Sequence, residues 1–431
     1  GMETQEIKLA GRSSVDVYLK DSKNALNEVV VVGYGTQKKI NATGAVKTID
    51  NEVLESRPLT NAVQGLQGAV AGLNITNDAG GQPGAEMNIN IRGVGSIGDG
   101  SNSSPLVLID GMEGDLSTIN PNDIESVSVL KDAAASSIYG SRAPFGVILV
   151  TTKSGEMGTR VNYSGNVRFQ DPVNVPNAVD SYTMALMVND AWANAKANDH
   201  YFGQTLLDKI LAFQRGELEY GTEAESDIKW KEVYSSWGNT NWYKEYIKNV
   251  AVSQEHNATV SGGNQKVKYY FSGNYLDQSG IFRHCDEKYT RLALSGRVNV
   301  KFNDYVQFTW TSRIISTEND KPSNLNELFF HNIGRRYPTE PLYLPNGEYH
   351  PNSLIQTMED GGRIHDKTQQ FYNQANLVIE PIKNWQLHAE LNSRIEHNPY
   401  TRQFCPVYYT APNGSRQPIS LVDNGRNTMN T

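Results

Sequence analysis

The chain has 431 residues, a net charge of -8 and 38% hydrophobic residues. That length calls for two or more domains or one large β architecture, and the mild acidity argues against nucleic acid as a partner. No run of ~18 apolar residues is present, which excludes a transmembrane helix but not a β-barrel, whose ~9–11-residue alternating strands escape hydropathy windows.

Residues 1–25 hold two short alternating runs, "EIKL" and "VDVYL". They read as the last strands of a small β domain. Next comes "NEVVVVGYG", Asn27 to Gly35. Four consecutive valines have no amphipathic period, so they read as a strand covered on both faces. The cover is either a sheet of the same domain or an incoming strand from a partner.

Residues 40–155 change character. "PLTNAVQGLQG" and "DIESVSVLKDAAASSIYG" read as helices, the second capped by Asp123 with Glu125 in its first turn. Its Val127 and Leu130 face is expected to pack on a sheet. "INIRG", "PLVLID" and "GVILVTTK" read as short strands. Asp110 and Gly111 are expected to turn the chain after "PLVLI", with Gly111 or Gly114 in a backbone region closed to most residues. The mixture predicts a compact α+β unit.

From residue 160 the chain alternates. Val161, Tyr163, Val167 and Phe169 share one face, and Arg160, Asn162, Asn166 and Arg168 the other. Leu292, Leu294, Val298 and Val300 likewise oppose Arg291, Arg297 and Asn299. Further segments lie at 250–260, 267–275, 306–314, 371–379 and 385–395, which makes seven. Their polar faces are charged and amide-rich, as a wet lumen wall would be, and connections alternate between tight turns (261–266, 303–304, 381–384) and longer loops. Both traits favour a membrane barrel over a soluble sandwich, which also alternates. About eight strands close a barrel filled by side chains alone, too narrow for the α+β unit. The barrel is therefore expected to be larger than this chain. The final "DNGRNTMNT" also lacks an alternating aromatic strand, so the chain is expected to be truncated at both ends.

Other motifs carry little chemistry. Gly93, Gly95 and Gly98 match a dinucleotide fingerprint, but loop follows where a helix is required. Asp110, Glu113, Asp115 and Asp123 cluster without the EF-hand ligand pattern. His388 sits on a strand's polar face, where a solvated lumen residue is the simplest reading. Cys285 and Cys405 are too far apart for a metal motif. No catalytic residue, metal or cofactor is expected. Loop aromatics, among them Tyr201, Phe202, Trp237, Trp242, Tyr246, Phe329, Phe330 and Tyr343, either grip a ligand or fold the loops onto themselves.

"LNEVVVVGYGTQKK", "VQGLQGAVAGLNI", "INIRGVGS", "INPNDIESVSVLKDAAASSIYGSRAPFGVILVTTKSG" and "HNATVSGGNQKVKYYFSGNYLDQSGI" together resemble the SusC/RagA family of TonB-dependent outer-membrane transporters. The resemblance runs from about Leu26 to Phe302 and more weakly onward. It implies an α+β plug domain followed by antiparallel transmembrane strands of a 22-stranded barrel, mostly β overall. The expected domains are the end of a carboxypeptidase-regulatory-like β domain (1–25), a TonB-contacting segment (26–39), the plug (40–155) and the first part of the barrel (160–431, truncated). Glu28, Val29, Val30, Val31, Val32, Gly33 and Tyr34 are the TonB-binding candidates, with a permanent plug strand as the other reading. The implied partners are TonB, a SusD-like lipoprotein, outer-membrane lipid and a large nutrient, glycan or oligopeptide. The alternative function is a non-transporting carbohydrate- or peptide-binding sandwich.

Overall fold

The computed structural model describes residues 29–32, 35–38, 46–55, 59–77, 82–91, 93, 104–131, 136–195, 201–325, 331–382, 385–420 and 427–430. Residues 1–25, Glu28, Gly33, Tyr34, Gly95, Gly98, Phe329 and Phe330 lie outside them.

The valine run forms β1 (Val29–Val32), which pairs antiparallel with β2 (Gly35–Lys38) in a two-stranded sheet. β3 (Val46–Asp50) leads into helices α1 (Asn51–Glu55) and α2 (Ala62–Leu66). Asn61 caps α2, accepting from the Gln64 amide at 3.0 Å. β4 (Leu73–Thr76) pairs with β5 (Asn88–Ile91). β6 (Leu106–Ile109), β7 (Met112–Glu113), β8 (Ile124–Leu130) and β9 (Val147–Thr152) complete a five-stranded sheet ordered β3-β8-β9-β6-β7. The β6–β9 pair is parallel. Ile49, Leu54, Leu66, Leu116, Ile124, Val127, Ile148 and Val150 form the core between sheet and helices.

The helix expected from Asp123 is a correction. Asn120 caps a single 3-10 turn, Pro121–Asp123, and the chain then runs extended as β8. β8 pairs with β3 on one side and β9 on the other. Ile124, Val127 and Val129 are fully buried there, as suits β-branched residues in a central strand. Val127 and Leu130 belong to the sheet itself. Among the described residues after β8, helical backbone resumes at Ser136, directly ahead of the 3-10 segment Ser137–Arg142. The turn after β6 is as expected: Asp110 (φ 51°) and Gly111 (φ 91°) both enter the left-handed region, the two-residue hairpin that Asp-Gly favours.

All seven alternating segments are strands: β10 (Gly158–Gln170), β13 (Ala251–Gly263), β14 (Val267–Ser279), β15 (Lys288–Lys301), β16 (Val306–Pro322), β17 (Arg363–Ile382) and β18 (Trp385–His397). Between β10 and β13 lie the short pair β11 (Ala224–Ser226) and β12 (Lys229–Trp230). The long strands pair antiparallel in chain order, each with the next. One face of this curtain packs on the plug. Arg291 is fully buried there, whereas Leu292 and Leu294 stand 46% and 44% exposed on the other face. Val260, Phe271, Ile314 and Phe371 join them outward, forming the apolar band expected to meet lipid. Leu294 lies mid-band, so Leu294→Arg should cost about 2–4 kcal/mol. Equilibrium folding of the full-length barrel into vesicles measures this; a cost under about 0.5 kcal/mol would reverse the face assignment.

The tight turns all lie at one end of the curtain and the long connections at the other. The long ones carry helices Ser181–Asn194, Gln204–Gln214, Trp242–Tyr246 and Ile355–Asp360. β19 (Pro399–Arg402) and β22 (Asn427–Asn430) extend the curtain beside β17, and β20 (Val407–Thr410) pairs with β21 (Arg416–Ser420). The loops fold onto one another. Gly238 N donates to Thr339 O at 2.8 Å, and Trp242 Nε1 to Tyr337 O at 3.0 Å. Phe202, Trp237, Trp242 and Tyr246 are buried in this cap, while Tyr234 and Tyr343 remain exposed. Most of the loop aromatics therefore serve packing.

Candidate functional site: where the plug meets the wall

Among the described residues, three clusters of polar contacts attach the plug to the wall. The first is the β6–β7 turn. Asp110 accepts from Thr152 N (3.0 Å) and Thr152 Oγ1 (2.6 Å), and pairs with Arg297 Nη1 (3.3 Å). Gln374 Nε2 donates to Asp110 O at 2.9 Å. Met112, beside this turn, packs among Ala293, Ile315 and Tyr372 of the wall.

The second is the corner that begins β8. Tyr270 OH and Ser272 Oγ donate to the Asp123 carboxylate at 3.0 and 2.7 Å, and Asn120 Nδ2 donates to Asn257 Oδ1 at 2.9 Å. Burial pushes the Asp123 carboxyl above its ordinary range, and these donors pull it back.

The third is the most heavily charged. Arg168 on β10, Glu255 on β13 and Arg291 on β15 are all buried. Glu255 pairs with Arg168 Nη2 on one oxygen and with Arg291 Nη2 (3.7 Å) on the other. Asn274 Nδ2 donates to Glu255 at 2.9 Å. The guanidiniums then reach the plug main chain: Arg168 Nη2 donates to Leu59 O (2.9 Å), and Arg291 Nη1 to Thr60 O (3.1 Å) and Ser117 O (3.4 Å). Paired charges can be buried this way because each retains a partner. The alternation puts Arg168 and Arg291 on the lumen face. It gives no sign that Glu255 joins them, since many lumen residues are polar.

The four clustered carboxylates do not converge. Asp110 and Asp123 have the partners above, and Asp115 caps Ser117 N at 2.8 Å. Among the described residues no group of three His, Cys, Asp or Glu could hold a metal. His388 is exposed and lies 3.2 Å from Gln386 Oε1. Gly93 sits at a bend with φ 96°. Both cysteines are free thiols.

On the long-loop rim, Glu287 is 3% exposed and neither carboxylate oxygen has a hydrogen-bond partner among the described residues. Burial pushes its carboxyl from 4.5 up to about 7, against a weaker opposing pull from Lys321 and Lys248. A raised carboxyl makes the folded cap bind the proton more tightly than the open one. The stability from this group is thus full below about pH 4.5 and is lost as pH rises to about 7. Glu287→Gln should remove that slope. Amide exchange of residues 280–287 across this range is the measurement, and an unchanged slope in the variant would assign it elsewhere.

A plug inside a curtain of amphipathic, sequentially paired strands defines an outer-membrane β-barrel receptor. A family profile described as TonB-dependent Receptor Plug Domain matches residues 38–147. The chain is 32% identical over 356 residues to TonB-dependent receptor P39 of Formosa agariphila, covering 81% of this chain and 30% of that protein. It is 33% identical over 335 residues to TonB-dependent receptor SusC of Bacteroides thetaiotaomicron, covering 74% and 29%. The solved RagAB peptide transporter superposes with a TM-score of 0.67 at 25% identity, covering 86% of this chain and 43% of that one. The chain is thus similar to TonB-dependent receptors of SusC/RagA type and spans about three tenths of these curated relatives' length.

Proposed function

We propose that the protein imports a large nutrient, glycan or oligopeptide, across the outer membrane, powered by TonB and assisted by a SusD-like lipoprotein. Glu28 to Tyr34 would be the segment TonB captures, between a carboxypeptidase-regulatory-like domain ending near residue 25 and a plug beginning near residue 40. The observation that carries this is the pairing of β1. Val29–Val32 pair with β2 and, among the described residues, have no ladder to the five-stranded plug sheet. That supports a segment separable from the plug core, with an edge on which a partner strand could add. It disfavours the permanent plug strand.

The path of force then follows from topology. Tension on β1 would reach β3, which among the described residues is an edge strand paired only with β8, over five residues. An edge ladder can peel one pair at a time. The β6–β7 turn and the Asn120–Asp123 corner would hold the other half of the plug to the wall. The sandwich alternative loses ground because the inner face of the curtain packs on the plug, not on a second sheet. A photo-crosslinker at Val30 of the full-length protein in its host should yield a TonB adduct. No adduct at any position from Val29 to Val32 would remove the segment from the mechanism.

A further inference from the structure

The connection between β14 and β15, residues 280–287, ties the long loops of the cap together. Phe282 and Cys285 are buried in one apolar cluster with Trp242 and Tyr246 of the β10–β13 connection and Ile355 and Met358 of the β16–β17 connection. Main chain seals the contact: Lys248 N donates to Ile281 O at 2.7 Å, and Arg283 N to Tyr246 O at 2.8 Å. Gly280 N closes the loop on Glu287 O at 2.8 Å. The Glu287 side chain folds back over Gly280. A Cβ at position 280 would overlap the Glu287 carboxylate and lie 2.7 Å from the Glu287 Cβ, so the glycine is what makes room for this seat.

The carboxyl sits there without a bound counter-charge. Both oxygens are buried and lack a hydrogen-bond partner among the described residues. The cations around it are committed elsewhere or stand off. Lys248 Nζ donates to Gly280 O at 3.4 Å. Arg363, at the start of β17, gives Nε to Asp320 at 2.7 Å and Nη2 to Asp286 O. Lys321, at the end of β16, is half-buried and attracts Glu287 only from beyond hydrogen-bond reach. Within the loop, Cys285 is a buried free thiol, Asp286 is exposed, and His284 pairs with Glu359 at 3.5 Å. A neutral acid can occupy such a seat, whereas an ionised one must find a partner or leave.

We propose that residues 280–287 form a proton-operated latch on the cap: protonated Glu287 keeps the long loops joined, and its ionisation releases the loop and parts them. Release draws Phe282 and Cys285 out of the cluster they share with Trp242 and Ile355, so one buried acid governs three connections. Outside pH then sets how often the mouth of the lumen opens. The latch goes beyond the import reading and does not depend on it.

Cys285 reports the latch directly. Burial, with Glu287 adding to it, pushes its thiol up to about 12, so it is alkylated only when the loop opens. The test follows iodoacetamide labelling of Cys285 by mass spectrometry in the full-length protein in detergent, from about pH 5 to about pH 8. Dividing each rate by that of Glu287→Gln at the same pH removes the pH dependence of the thiol and of His284. The ratio should rise about tenfold or more across the range. Gly280→Ala, which denies the carboxyl its seat, should label fast even at the acid end. Amide exchange of residues 242–246 and 355–358 should quicken with rising pH in wild type but not in Glu287→Gln. A flat ratio, slow labelling of Gly280→Ala at the acid end, or exchange at 242–246 and 355–358 that is the same in wild type and Glu287→Gln would each overturn the latch. If Gly280→Ala fails to fold, the ratio and the exchange still decide. Neither readout needs TonB, so a failure of the import reading leaves the result standing.

Discussion

Glu255→Ala should loosen the plug from the wall by about 3–5 kcal/mol. Glu255 is 2% exposed and stands between Arg168 and Arg291. Its removal leaves two buried guanidiniums facing each other with no counter-charge, and an orphaned Asn274 amide. Those guanidiniums hold Leu59 and Thr60, so the damage should fall on residues 46–77 first. Protease nicking of that region, followed in the full-length protein under rising urea, reads the effect. The barrel itself should keep its resistance to heat, since its ladders are main-chain. Glu255→Gln should fall between, keeping an acceptor but not the charge. A loss under about 1 kcal/mol for the Ala variant would mean that the network is solvated and grips nothing.

The strands were legible because each solves a two-sided problem. One face meets apolar surroundings and the other a polar lumen, so Leu292, Leu294, Arg291 and Arg297 sort by parity alone. The signal fades where both faces are polar. β16 runs to Pro322 and β17 starts at Arg363, well beyond the alternating stretches, because "STENDKP" and "RIHDK" offer no apolar face. β8 departs from the helical expectation for a different reason. "NPND" is a true cap, but of one 3-10 turn, and the period-two pair Val127 and Val129 was outweighed by that cap. The helix at Ser181 carries a sequence-local cap: Asp180 accepts from the amides of Tyr182 and Thr183, ahead of inward Met184 and Ala185. The Arg168–Glu255–Arg291 network could not be read at all. Its members lie on three strands, and only the register of the sheet brings them together.

The proposed coupling role puts the pull of TonB on the main chain of Val29 to Val32. The measurement is uptake, surface substrate binding and barrel yield, taken together in one strain, for Val31→Pro and Val31→Thr in the full-length transporter. Proline removes a ladder donor and distorts an extended strand, while threonine keeps both backbone and β preference. The account predicts that Val31→Pro abolishes uptake with binding and yield intact, and that Val31→Thr transports nearly as wild type. A fall of yield and binding together with uptake would make the run a strand of the plug core, and normal uptake by Val31→Pro would contradict the coupling role outright.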